Sequence, residues 1–176
     1  MQILPVIDLK DGDVVRGVAG QRSTYQSVES LLTSDSTVTA IATAFATQLP
    51  VDTIYVADLN AIAGEEPNWQ ALDQISATGL DIWLDAGVGD LSRAEQLSRY
   101  AQQQPQLTSV IIGLESVPDV ETLAQLWNHL GRERAVFSLD LKQGSPLTAA
   151  APWQGLDAEQ IAAQAVEIGF QRLIVL

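Results

Sequence analysis

Residues 6–12 read VIDLKDG and residues 138–144 read SLDLKQG, so the motif D-L-K-x-G follows an apolar run twice in this chain. The two copies together contain both lysines of the protein. Each copy also precedes a long connection, over residues 10–36 in the first case and 142–156 in the second. We interpret the match as a duplicated half-barrel of four β/α units, in which the first and fifth strands face one another across the axis.

Short apolar runs alternate with longer amphipathic runs along the rest of the chain, which is typical of repeated βα units and a parallel sheet. The predicted strands are apolar almost throughout, as expected when both faces of a sheet are covered. The predicted fold class is therefore α/β, of the parallel (β/α)8 TIM-barrel type. Strands are predicted near residues 3–8, 52–58, 81–86, 109–113, 135–140 and 172–176, and helices near 37–48, 68–78, 91–103, 118–130 and 157–168.

The composition limits the possible classes of protein. A length of 176 residues with 47% apolar residues predicts a single domain over residues 1–176 with a sizeable core. The absence of cysteine excludes disulfides, thiolate metal sites and a cysteine nucleophile, and favours a cytoplasmic location. Residues 1–6 show no signal peptide, and no run approaches the roughly 18 apolar residues of a membrane span. A net charge of −13 opposes nucleic-acid binding.

Four aspartates stand at the ends of predicted strands, namely Asp8, Asp58, Asp85 and Asp140. Ligands bind at the C-terminal ends of barrel strands, so we expect these carboxylates to converge on one face. Neighbouring carboxylates raise one another's pKa, which can leave one as a neutral general acid and another as an ionised base. Two alternatives remain open: the carboxylates hold a divalent cation such as Mg2+, or Asp58 and Asp85 cap the following helices and loops.

Three other side chains are candidates for contacts with a substrate, in addition to Asp58 and Asp85. Lys10 and Lys142 follow strand-end aspartates by two residues, although a screen for the neighbouring carboxylates explains them equally well. Trp153 lies in the long connection after the fifth predicted strand, where it can close over a ligand. Residues 13–18, which follow the turn residues Asp11 and Gly12, are predicted to form a small hairpin arm.

Glycines precede two of the predicted helices. Gly87 and Gly89 lie before the helix that starts near residue 91, and Gly113 lies before the helix that starts near residue 118. Backbone N–H groups at such strand-to-helix turns can approach a phosphate group. Gly87, Gly89 and Gly113 are therefore candidate phosphate-binding residues.

Four stretches resemble the barrel isomerases and cyclases of histidine biosynthesis. They are ILPVIDLKDGDVVRG (3–17), IYVADLNAIAG (54–64), VIIGLESV (110–117) and FSLDLKQG (137–144), and they occur in order at the predicted strands. Residues 20–30 read GQRSTYQSVES, which is similar to a G-x-R-x-x-Y-x-x-V-x-S pattern in an isomerase-related branch without a settled reaction. We identify the chain as resembling this family over essentially its whole length, and that branch in particular.

The resemblance implies an Amadori rearrangement of an aminoaldose phosphate to an aminoketose. The roles of base and of ring-opening acid would fall on Asp8 and Asp140, and no metal or organic cofactor is expected. The implied substrate is a small phosphorylated, sugar-like molecule. Two alternative functions stay open: a different reaction in one-carbon cofactor metabolism, and a non-catalytic, ligand-binding remnant.

This sequence also departs from the isomerase pattern. Asp85 stands where the isomerase has a glycine near bound phosphate, Gly89 replaces an arginine, and Leu114 replaces a threonine of a phosphate turn. The resemblance therefore implies that the phosphate site at the third strand is altered or absent.

The chain resembles about the first six β/α units of an eight-unit barrel, so we expect a barrel that is truncated and incomplete at its C-terminus. Open pairing edges are then expected on the first and sixth strands. Proteins rarely leave such edges bare, and self-association that covers them is expected.

Overall fold

The computed structural model describes residues 3–16 and 26–176. Residues 20–25 of the branch-like stretch and residues 17 and 18 of the predicted hairpin arm lie outside the described residues. The chain divides into two compact units. The first contains the described residues up to Ala86 and Gln104–Thr108, and the second contains Gly87–Gln103 and Ser109–Leu176.

The first unit is built on a sheet whose strand order is β5-β4-β1-β2-β3. The pairs β1–β4 and β4–β5 are parallel, whereas β1–β2 and β2–β3 are antiparallel. Helices α1 and α3 pack together, and side chains such as Ile7, Leu9 and Ile75 are fully buried. The elements are β1 (Val6–Lys10), β2 (Asp13–Arg16), β3 (Gln26–Ser27), α1 (Val38–Gln48), β4 (Thr53–Asp58), α2 (Leu59–Ile62), α3 (Trp69–Ser76) and β5 (Asp81–Asp85).

The second unit is built on parallel strands in the order β10-β7-β6. Helix α5 packs against α4 and α6, and the rings of Phe137 and Phe170 lie 5.7 Å apart. The elements are α4 (Leu91–Gln103), β6 (Leu107–Gly113, which begins in the first unit), α5 (Val120–Leu130), β7 (Ala135–Leu139), β8 (Leu141–Lys142), β9 (Ser145–Pro146), a 3-10 helix (Ala151–Trp153), α6 (Ala158–Ile168) and β10 (Leu173–Val175).

The predicted parallel α/β class is confirmed, and each of the six predicted strands is present. The first strand, expected over residues 3–8, instead covers Val6–Lys10, because pairing with β2 extends it past Asp8. Helix α1 begins after Thr37, whose side chain accepts the Ala40 N–H, one residue later than the predicted start at residue 37. Helix α6 begins at a capping box formed by Asp157 and Gln160.

The two copies of D-L-K-x-G form the same hairpin turn. In the first copy φ is 54° at Asp11 and 85° at Gly12, and in the second φ is 54° at Gln143 and 81° at Gly144. Two successive residues at positive φ are what a type I′ hairpin requires. The predicted hairpin arm is therefore confirmed over Asp13–Arg16, and the second copy forms the smaller hairpin β8–β9.

The expectation of a bare edge on the first strand was wrong for its C-terminal half. Asp8, Leu9 and Lys10 pair with Val15, Val14 and Asp13 of β2, because the type I′ turn folds the chain back along β1. Strand β10 pairs with β7, and no strand among the described residues of its unit pairs with the other edge.

Candidate active site

The register of the first unit decides which strand-end side chains share a face. Asp8 pairs with Ala57, and Ala57 pairs with Asp85, so Asp8 and Asp85 point to the same side of the sheet. Asp58 pairs with Leu9, so it points to the opposite side, where Leu9 is fully buried. The expectation that all the strand-end aspartates share one face therefore fails for Asp58, which lies one residue beyond the level of Asp8.

Asp58 is 0% exposed and is surrounded by hydrogen-bond donors. Its carboxylate accepts the Ala61 N–H at 3.1 Å, the Asn68 N–H at 2.6 Å and the Asn68 side-chain amide at 2.7 Å. These contacts cap α2 and fix the start of α3, which matches the capping alternative. Substrate binding by Asp58 stays a prediction.

Asp8 has a different environment. Its side chain is half-buried near the C-terminal end of β1, and this burial raises the pKa of its carboxyl group because water stabilises the charged form less well there. Two residues later, Lys10 is the last residue of β1 and pairs with Asp13. Such a carboxyl can hold a proton at a higher pH than an exposed aspartate and is a stronger base when it is ionised.

An asparagine fastens the turn that follows Lys10. The Asp11 N–H donates to Asn60 Oδ1 at 2.7 Å, and Asn60 Nδ2 donates to Asp11 Oδ1 at 2.9 Å. Asn68 Nδ2 donates to Asn60 Oδ1 at 3.2 Å, so this network continues to Asp58. Asn60 was missed as a candidate, because only the folded register brings it to a turn 49 residues away.

Asp85 accepts a hydrogen bond from a tyrosine that was also missed as a candidate residue. The Tyr55 hydroxyl donates to Asp85 Oδ2 at 3.2 Å. Tyr55 pairs with Trp83, two residues before Asp85, so both side chains of the bond project from the same face. The alternation of side chains along β4 was the available signal, but it becomes useful only when the register is known.

Asp140 follows β7 in the second unit and is half-buried. Burial is the largest cause of its raised pKa, and the negative charge of Glu115 raises it further. The Ser138 hydroxyl donates to Asp140 Oδ1 at 3.3 Å and acts in the opposite direction by favouring the ionised form. Glu115 and Ser138 are residues that sequence reasoning did not single out.

The glycines of the second unit have different structural reasons. Gly87 has a φ of 62°, a conformation that favours glycine. A Cβ built at Gly89 would lie only 2.4 Å from the Ser116 carbonyl oxygen, so a close approach of two backbones requires that glycine. A Cβ at Gly113 would meet Asp140 Oδ2 at 3.8 Å, an ordinary contact distance. Phosphate binding at these glycines stays a prediction.

The long connection after Asp140 contains the other two candidates. Lys142 is exposed in β8. Trp153 is only 1% exposed, and its indole N–H donates to the Val117 carbonyl oxygen at 3.3 Å. Trp153 lines a cavity of about 430 Å³ together with residues from Gly144 to Asp157, so it forms part of a wall rather than a freely exposed lid.

The described residues contain neither a cluster of side chains arranged for a metal ion nor a helix that could cross a membrane. No group of three or more His, Cys, Asp or Glu side chains there is arranged to hold a metal ion. None of the helices in residues 3–16 and 26–176 is long and apolar enough to cross a membrane.

Comparison with known proteins places this arrangement in a family. The sequence pattern of the histidine biosynthesis protein family matches residues 2–176. The chain belongs to the histidine biosynthesis protein family. The parallel βα units are thus those of this family, whose fold is the (β/α)8 barrel, and the resemblance found in the sequence is confirmed.

Individual relatives agree with the family assignment. An uncharacterised protein of Methanocaldococcus jannaschii is 31% identical over 147 residues, which cover 84% of this chain and 59% of that protein. The 1-(5-phosphoribosyl)-5-((5-phosphoribosylamino)methylideneamino)imidazole-4-carboxamide isomerase of Syntrophomonas wolfei is 33% identical over 147 residues, covering 82% and 55%. The isomerase of the same name from Bacillus cereus is 29% identical over 146 residues, covering 82% and 56%. The chain thus spans somewhat more than half the length of these relatives.

Proposed function

We propose that this chain carries the acid and the base of an aldose–ketose isomerase that acts on a phosphorylated ribosyl-amine. The proposal rests on the burial and the raised pKa of the Asp8 and Asp140 carboxyl groups. Asp8 is half-buried in the C-terminal half of β1 and Asp140 directly after β7, and burial raises the pKa of each. Relatives named as isomerases of a phosphoribosyl compound support the substrate class.

The proposed chemistry is an internal redox exchange that needs no external oxidant. Asp140 donates its proton to the ring oxygen of the ribosyl-amine, the C1–O bond breaks, and an iminium group forms at C1. Asp8 then removes the proton from C2, and the C–H electron pair forms the C1–C2 double bond of an enolamine. Protonation at C1 and loss of the hydroxyl proton at C2 give the aminoketose.

The other candidate residues take supporting roles in the proposal. Lys10, Asp85, Lys142 and Trp153 lie at or shortly after strand ends of the two units, where barrel enzymes bind ligands. We expect them to contact the sugar, and we expect backbone N–H groups near Gly87 to contact a phosphate. Chemistry of this kind needs no metal or organic cofactor. A cytoplasmic location and the absence of nucleic-acid partners also stay predictions.

The test is growth of a histidine auxotroph that lacks the isomerase and carries the full-length gene. We expect growth with the natural sequence, no growth with Asp8→Asn or Asp140→Asn, and normal growth with Glu121→Gln, an exposed acid on α5 that serves as control. Growth of either aspartate variant at the normal rate would refute its catalytic role. Failure of the natural sequence would refute the histidine assignment.

A different reaction on a related substrate is the second candidate function. The observations that favour it are the similarity to the uncharacterised relative and the presence of Asp85 and Leu114 where the isomerase pattern has glycine and threonine. One-carbon cofactor metabolism is the area that the branch resemblance suggests, and a ligand-binding remnant is the non-catalytic form of this alternative. Failed complementation with a folded protein would favour it.

A further inference from the structure

In the turn between β6 and α5, over residues 113–117, backbone N–H groups donate to carbonyl groups of the protein itself. The Leu114 N–H donates to the Ser138 carbonyl at 2.9 Å, and the Ser116 N–H donates to the Gly113 carbonyl at 3.0 Å. Donors that are engaged in this way cannot also bind a phosphate. At these two positions the turn therefore differs from an anion-binding turn, in which such N–H groups point at the ligand.

Two further contacts fix the C-terminal part of this turn. The Trp153 indole N–H donates to the Val117 carbonyl at 3.3 Å. The Ser116 carbonyl oxygen packs so closely on Gly89 that a Cβ there would lie 2.4 Å from it. The backbone from which Glu115 projects is consequently held on both sides.

Gly113 leaves a gap in front of the Asp140 carboxylate. A Cβ at Gly113 would lie 3.8 Å from Asp140 Oδ2, 3.9 Å from Ser116 Oγ and 4.0 Å from Glu115 Cγ. Three side chains from two elements therefore surround one small space, and the absence of a side chain at Gly113 keeps it open. A reacting atom of a substrate can approach Asp140 through that space.

We propose that Glu115 is a positioning residue that makes loss of the Asp140 proton less favourable, and that the turn 113–117 receives an uncharged part of the substrate rather than a phosphate. The inference rests on the proposed function, in which Asp140 is the acid. A carboxylate beside a second carboxyl group makes loss of the second proton unfavourable. The same charge repels a phosphate from the gap.

The other charged groups on neighbouring elements do not take this role. Lys142 follows Asp140 by two residues and is exposed in β8, as Glu115 is in its turn, but Lys142 is not among the groups that shift the pKa of Asp140. Arg172, just before β10, donates to Ser109 Oγ at 2.8 Å and also to the Glu133 carbonyl. Among the described residues, Glu115 is the charge that acts on the pKa of Asp140, in the same direction as burial.

The substrate class becomes narrower as a result. If the gap at Gly113 admits a hydroxyl or ring oxygen, any phosphate of the substrate has to bind at another part of the protein. A substrate with a phosphate at one end fits this requirement more simply than one that presents a phosphate to the turn after β5 and another to the turn after β6.

The test is a carboxyl carbon NMR titration of Asp140 in the whole chain without substrate. Glu115→Gln should lower the midpoint, so that the ratio of protonated to ionised Asp140 at a fixed pH falls about threefold or more. Glu121→Gln, the exposed control, should leave it unchanged, and Ser138→Ala should raise it, because the Ser138 hydroxyl favours ionised Asp140. An unchanged midpoint in Glu115→Gln with native circular dichroism would overturn the positioning role.

Inorganic phosphate tests the second half of the proposal. We expect the amide signals of residues 113–117 to stay unchanged when phosphate is added to the natural chain. A saturable shift confined to those amides would overturn it. Both measurements are made without turnover, so they are independent of the complementation result. If growth fails but Glu115→Gln lowers the titration midpoint of Asp140, the proposed reaction is rejected. If growth succeeds but Glu115→Gln leaves that midpoint unchanged, this inference is rejected.

Discussion

At the scale of the residue, Asp8 links stability to pH. Burial raises the pKa of this carboxyl above its ordinary value of 3.8, so the folded chain binds the proton more tightly than the unfolded chain. The free energy of unfolding therefore falls as the pH rises from about 3.8 through the raised pKa. Below this range the penalty disappears, because the carboxyl is protonated in both states.

Asp8→Asn removes the buried charge and should stabilise the chain. We expect a gain of ~0.5–1 kcal/mol in the free energy of unfolding at pH 7, which shrinks towards zero near pH 4. Urea unfolding at both pH values measures the difference. Asp13→Asn, at an exposed position of β2, is the control. A variant at Asp8 that is less stable than the natural chain at pH 7 would show that the ionised carboxylate stabilises the fold.

Two glycines should respond differently to the same added methyl group. Gly89→Ala places a Cβ 2.4 Å from the Ser116 carbonyl and should cost about 1–3 kcal/mol of stability. Gly113→Ala meets its neighbours at 3.8 Å or more, so its stability should change by less than about 0.5 kcal/mol, while activity falls because the gap before Asp140 is filled. Thermal unfolding and the growth assay separate the two effects. Equal losses of stability would contradict the assignment.

At the scale of the element, Asn60 is the fastening of the hairpin β1–β2. Asn60→Ala removes both hydrogen bonds to Asp11, a net loss of about 1 kcal/mol, and should free the turn without unfolding β1. Hydrogen exchange at the Asp11 amide is expected to become about fivefold faster or more. Gln143→Ala, at the matching exposed position of the second turn, is the control. Unchanged exchange at Asp11 would refute the role of Asn60.

Elements were easier to predict from this sequence than the contacts between them. Apolar runs such as 107–113 have a clear length and composition, so the strands and their parallel class follow from local pattern. The position of Asp58 relative to Asp8 depends instead on a one-residue offset in pairing, to which the local pattern is blind. The same reason hid Asn60 and Tyr55 as partners of Asp11 and Asp85.

Glycines in this sequence are ambiguous markers of a phosphate site. Gly89 reads as a phosphate turn from sequence, whereas in the fold its neighbour is the Ser116 carbonyl. Close backbone approach and anion binding both favour glycine, so the residue type alone cannot separate them. The aspartates are more specific markers, because a half-buried carboxylate such as that of Asp8 or Asp140 is less common than a glycine in a turn. Their roles in catalysis stay predictions.

At the scale of the whole molecule, the open edge of β10 and its apolar surroundings favour self-association. Within the second unit, Val175 in β10 and Leu176 directly after it are 61% and 62% exposed, and β10 has no strand partner beyond β7 among the described residues. Exposed apolar groups beside an unpaired edge are a ready pairing site. The unpaired edge and the exposed apolar side chains therefore lead to the same prediction of self-association as the sequence does.

Sedimentation velocity of the isolated chain tests that expectation. We expect a mass above that of the 18.9 kDa monomer at micromolar concentration, and a shift towards monomer when Val175→Lys places a charge at the edge. The control is Glu95→Lys, on the exposed side of α4. Val14→Lys would not serve, because Val14 is buried. A monomer at all concentrations would contradict the prediction.

The contact of Gly89 with Ser116 has a consequence for how this protein can change over time. The loop of residues 87–90 cannot accept a side chain at position 89, and the backbone of the loop of residues 113–117 cannot shift towards that position, unless the other loop also moves. The two loops are therefore expected to change together. A loop grafted from a relative that has arginine at position 89 would fail here unless its partner loop came with it. Directed evolution for a new substrate should therefore diversify residues 87–90 and 113–117 in the same library.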